Sequence, residues 1–92
     1  MDGLTEGRIL HYVIPNGEHR PAIVVRVWPN EFGPGIPGVN LQVFTDGSND
    51  MREFAEGGYP PRELVRAGMF WATSAKFSDT HEPGTCHWIE RA

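Results

Sequence analysis

The sequence predicts a mainly β protein: a small antiparallel barrel of five strands, SH3-like first and OB-like second, with a short helical turn in an insertion over residues 50–67. Three observations lead there. The chain has 92 residues, the length of one domain with one modest core, so residues 1–92 are read as a single barrel domain. Its apolar residues fall in short β-branched or alternating runs, and its 11 glycines and 8 prolines are too many for a helical protein. The first of those runs is apolar on both faces, which suits a strand buried twice. Closing the sheet removes the edges that such strands would otherwise expose.

The first strand is expected over residues 7–14, GRILHYVI, with Ile9, His11 and Val13 on one face and Leu10, Tyr12 and Ile14 on the other. Pro15-Asn16-Gly17 follows as a tight turn, since Pro presets φ and Asn-Gly accepts positive φ. Glu18, His19 and Arg20 extend that loop or begin the return. The second strand, residues 21–28 (PAIVVRVW), is the strongest β segment. Ala22, Val24, Arg26 and Trp28 share one face; Ile23, Val25 and Val27 form the other, taken as core. Residues 29–38, PNEFGPGIPG, hold three prolines and three glycines, so they form a loop, ordered in part by Phe32 or Ile36 tucking in.

The chain is organised around residues 39–50, VNLQVFTDGSND. Val39, Leu41 and Val43 alternate with polar partners as in a half-buried strand, expected over residues 39–46, and Asp46-Gly47 stops it. Residues 50–56 suit one helical turn, ended by Gly57-Gly58. Pro60-Pro61 before residues 62–67, with Gly68 after them, punctuates a short helix that docks through Leu64 and Val65. A fourth strand is predicted over residues 69–77 and a last one over residues 85–89, joined by a polar loop.

Composition excludes several functions. The formal charge is −4, Lys76 is the sole lysine and no basic run occurs, so a nucleic-acid polymer is not the expected partner. Arginine forks still suit a small anionic ligand. Cys86 is the only cysteine, which precludes an intrachain disulfide. The start MDGLTEGR has no apolar signal region and no run is long enough to cross a membrane, so a soluble cytosolic protein with no membrane partner is expected.

Candidate chemistry is sparse. His11, His19, His81, His87 and Cys86 show neither CxxC nor HxxxH spacing, and three of the four histidines lie near loops or ends. Neighbouring Cys86 and His87 point to opposite faces of a strand. The histidines are read as exposed or capping residues, with no metal and no cofactor. GxSxG is absent and Cys86 reads as a small buried residue, so no enzyme is expected. DGSND lacks the ligand spacing of a calcium loop and reads as an Asx-rich turn. Most aromatic rings belong to the core. Trp71 or Trp88 at the rim, beside Arg20, Arg26 or His19, would let a ring stack on a base, worth roughly 1–3 kcal/mol per base, while arginine holds a phosphate.

The segments GRILHYVIPNGEHRPAIVVRVW, VNLQVFTDGSND, FWATS and EPGTCHW resemble an uncharacterised family of short tailed-bacteriophage and prophage proteins. The likeness covers most of the chain outside residues 29–38 and 51–68. Cys86 stands where that family's pattern has tryptophan. The family has no established activity, so the resemblance implies a phage setting and leaves two roles open. One is a non-enzymatic accessory protein of the anti-defence type, a sponge for a small anionic or nucleotide-derived ligand, acting in the host cytoplasm as a homo-oligomer. The other is a virion or assembly component. For the first, Arg20 and Arg26 are assigned phosphate contact and Trp71 base stacking. His19, Asp46 and Asn49 are assigned polar selectivity, and His11 and Thr73 complete the ligand-binding set.

Overall fold

A computed structural model describes residues 3–51 and 62–90. Its elements run β1 (Ile9–Val13), β2 (His19–Trp28), β3 (Gly38–Phe44), a 3-10 turn (Gly47–Met51), α1 (Arg62–Ala67), β4 (Met69–Phe77) and β5 (Thr85–His87). The strands form a closed barrel in sequence order. β5 makes the closure: it runs parallel to β4 and antiparallel to β1. The chain therefore builds the expected mainly β, five-stranded barrel with a short helical turn, although the β4–β5 pair is parallel where an antiparallel barrel was expected. The expected helical turn at 50–56 and the punctuation at 57–61 lie outside the described residues, apart from Asp50 and Met51 in the 3-10 turn.

The β1–β2 hairpin turns where Asn-Gly allows it. Gly17 has φ +87° and its amide donates to the Ile14 carbonyl at 2.8 Å. Asn16 Oδ1 accepts from the Glu18 amide at 2.9 Å. The return begins at once, so β2 starts at His19 rather than Pro21. Pro21 is tolerated because it lies where β2 pairs with β1 alone.

The face of β2 differs from expectation. Ala22 and Val24 are the core residues, whereas Ile23 and Val25 are 38% and 47% exposed. Ala22 stands between Leu10 and Val43, both fully buried, so the smaller side chains face the narrow interior. A bulge after Val24 then adds one residue, and Val27 returns to the inner side opposite Val39. β4 shifts in the same way. Phe70 and Ala72 are buried before the irregularity, Ala75 and Phe77 after it, with Ser74 at φ +52° between them.

Asn40 of β3 serves both irregularities. It pairs with Arg26 across the first. At the second its Oδ1 accepts from the Ser74 amide at 2.9 Å, and it also receives Trp28 Nε1 at 3.3 Å. Val39, Leu41 and Val43 point inward as predicted. In the 29–37 loop Phe32 and Ile36 do not tuck in; both are exposed. Backbone bonds order the loop instead, among them Phe32 amide to Ile36 carbonyl at 3.1 Å, helped by Asn30 Oδ1 on the Gly35 amide at 2.9 Å. α1 docks through Val65 alone of the two residues expected, Leu64 being exposed. Thr45 holds it in place, its hydroxyl donating to the Val65 carbonyl at 2.6 Å.

Candidate metal centre

Strand register gathers the chain's four histidines at one place. β1 lies between β2 and β5, and His11 stands directly opposite His87 of β5. On its other side His11 faces Pro21, which puts His19, two residues along β2, diagonally beside it on the same face. Cys86 points into the core and His87 to the opposite side of β5, as alternation requires. Three residues on, Glu90 returns its carboxylate to the cluster. His81, in the loop between β4 and β5, adds the fourth ring.

The rings converge on that carboxylate. His11 Nδ1 meets Glu90 Oε2, and His87 Nε2 meets Glu90 Oε1. His19 Nδ1 lies 2.5 Å from Oε1, and His81 Nε2 lies 4.0 Å from the same oxygen. The His81 and His87 rings are stacked at 4.1 Å, and His19 sits edge-on to both, at 4.8 and 4.7 Å. His87 forms the floor, almost fully buried, and His81 the solvent side, 42% exposed. The histidines, read as exposed or capping residues, are thus gathered around one carboxylate instead. Their spacing in the chain carries no motif because the site is assembled across three strands.

Electrostatics suit a cation. Burial opposes ionisation of Glu90, but hydrogen bonds from its own backbone and from His87 and His11 hold its pKa down at about 2. Burial pushes the His87 imidazole down, with nearby His81 and His19 adding to this and Glu90 opposing it. A neutral imidazole keeps a lone pair for a metal, without a proton to displace. His87 Nδ1 is buried without a hydrogen-bond partner among the described residues. The donor atoms of His11, His19, His87 and Glu90 all lie within 4.8 Å of one another. Three imidazole nitrogens and a carboxylate oxygen are the donor set of zinc and its neighbours, at bond lengths of about 2.0–2.2 Å.

The other expected site residues are spread over separate places. Arg20 grips Asp50 with both arms, Nε to Oδ2 at 2.8 Å and Nη2 to Oδ1 at 2.5 Å. Its third arm donates to the His19 carbonyl at 3.0 Å. The fork assigned to a phosphate is therefore occupied by a buried carboxylate. The hydrogen bonds of the pair raise Arg20 and, against the burial, hold the Asp50 carboxyl below the ordinary range. Asp46 and Asn49 belong to the same turn: the Asp46 amide donates to Asp50 Oδ2 at 2.6 Å, and Asn49 Nδ2 to Asp46 Oδ2 at 3.2 Å. The Asx-rich turn is as predicted. Arg26 lies over the Trp28 ring at 4.1 Å. Trp71 is on the outer face of β4 opposite Gln42, and Thr73 lines a shallow pocket with Tyr12 and Ser74. Trp88 packs on Phe77 beneath Arg8, away from the arginines expected beside it.

Of the eight residues, only His11 and His19 share the metal-type cluster. Glu90, His87 and His81 were outside the predicted set. The one local signal was His87-x-x-Glu90, and only the β1–β5 register turns it into a site. No family model matches the chain, and neither the curated proteins nor the solved structures contain a match to it.

Proposed function

We propose that the protein is a non-enzymatic binding barrel whose cargo is a divalent transition-metal ion, held by His11, His19, His87 and Glu90. The observation that carries this reading is the convergence of three imidazole nitrogens, from three different strands, on one carboxylate. Imidazole-rich sets favour zinc, copper, nickel or cobalt over magnesium and calcium, which take oxygen ligands. Glu90 already fills the centre with negative charge, which favours a cation over the small anionic or nucleotide-like ligand considered from sequence. In the phage setting that the motif resemblance implies, such a barrel would work in the host cytoplasm or on the particle.

A thermal-shift series tests this. Zn²⁺ at a hundred times its dissociation constant should add about 2.7 kcal/mol. For a domain of this size that is a midpoint rise of about 10–20 °C, at 4–8 °C per kcal/mol. Mg²⁺ and Ca²⁺ should leave the midpoint unchanged, and His19→Ala or His87→Ala should abolish the zinc response. An unmoved midpoint across Zn²⁺, Co²⁺, Ni²⁺ and Cu²⁺ would discard the proposal.

A further inference from the structure

We infer that His81 is a fifth ligand of that ion, and that the loop over residues 78–84 shuts the coordination shell from the solvent side. This rests on the metal reading above and names what closes the site.

Two donors bound to one ion by bonds of about 2.1 Å lie at most about 4.2 Å apart. His81 Nε2 lies 4.0 Å from Glu90 Oε1 but outside the group of four whose donors are within 4.8 Å of one another, so its ring must turn inward to share the shell. Its ring stands on the outer side of the cluster, stacked on His87 and edge-on to His19. With His87 at the floor, and His11 and His19 as partly exposed walls, the solvent side is the face left for a further donor.

The loop is built to hold the ring there. His81 has φ +59°, a left-handed backbone that a non-glycine residue adopts at a cost, and histidine is among the residues that tolerate it. The flanks are tied to the barrel on both sides. The Ser78 amide donates to the Cys86 carbonyl at 2.9 Å, and the Gly84 amide to the Val13 carbonyl at 2.8 Å. Within the loop Glu82 lends its carbonyl to Thr85, whose hydroxyl donates at 2.7 Å. A strained residue in a pinned loop, aimed at a cluster of donors, has a role in that cluster rather than in the turn.

The consequence is chemical. Catalytic zinc sites keep one position for water or substrate, whereas sites that only hold the ion fill it with protein. Four imidazoles and a carboxylate exceed the four protein donors that close a structural zinc site. The ion is stored or used as a staple, and a small molecule does not reach it.

Cobalt reads the shell directly. The Co²⁺-loaded parent should show visible bands that do not change when free imidazole is added. His81→Asn keeps a residue that accepts the left-handed backbone, and His81→Ala serves as the second variant. Both should bind Co²⁺ about tenfold more weakly, which corresponds to about 1.4 kcal/mol. Their bands should shift, and added imidazole should bring them back toward the parent spectrum. Parent and variants with the same affinity and spectrum would overturn the role of His81 while leaving the four-ligand site standing. A parent that takes up no Co²⁺ would remove both readings together.

Discussion

Asp50 is 1% exposed, and Arg20 reaches it from the far side of the hairpin with two hydrogen bonds. A buried carboxylate needs such a partner. Replacing it by asparagine leaves the guanidinium partly buried without a counter-charge, and Asp50→Asn should cost about 2–4 kcal/mol in urea unfolding. The pH dependence has a definite sign. The folded pKa of Asp50 is lowered, so on acidification the unfolded chain takes up its proton first. The pair's contribution is therefore complete above the ordinary aspartate pKa of about 3.9 and drains away as pH falls below it. Stability of the parent should fall through that range more steeply than stability of Asp50→Asn; parallel curves would remove the assignment. At this scale the sequence was partly legible. The polar turn and buried Cys86 follow from residue type alone. The Arg20–Asp50 pair does not, because its members are thirty positions apart and nothing local marks them.

Strands were legible as strands, and their faces were not. Alternation assigns a face only while the period of two is unbroken, and both β2 and β4 lose it at one residue. Before its bulge β2 buries Ala22 and Val24, after it Val27; a count of branched side chains chooses the wrong side. The residue that makes these shifts affordable is Asn40, on the strand between them. Its carbonyl oxygen satisfies the Ser74 amide at the second irregularity. Asn40→Ala should leave that amide and the Trp28 indole without their acceptor and cost about 1–3 kcal/mol. The same loss in Asn40→Asp, which keeps the oxygen acceptors, would show that the hydrogen bonds are not the cause. The helix was visible from its Gly68 stop and the apolar pair Leu64-Val65, although only Val65 docks.

For the molecule as a whole, composition and turn spacing were enough to indicate a closed barrel, because both report on short strands. The site was hidden for the complementary reason: it depends on which strand closes on which. His11 and His87 become neighbours only when β5 lies against β1. An ion bound there joins β1, β2, β5 and Glu90 just after β5, so its stabilisation should be felt unevenly. Zinc should slow hydrogen exchange at the amides of β1 and β5 well beyond any effect on β3, which carries none of the four donors. Equal slowing throughout would mean that the ion acts on global unfolding alone.

β5 has a further consequence, for the order of events during synthesis. Only three residues of β5 close the sheet, and they are among the last to be made of those that form it. While they are still inside the ribosome, β1 and β4 each have an unpaired edge and the interior is open to water. The nascent chain can form the β1–β2 hairpin and pair β3 with β2 and β4, yet it cannot complete the barrel until residues 85–87 have emerged. A stalled chain should therefore stay sensitive to protease until those residues clear the exit tunnel, then become resistant in a single step.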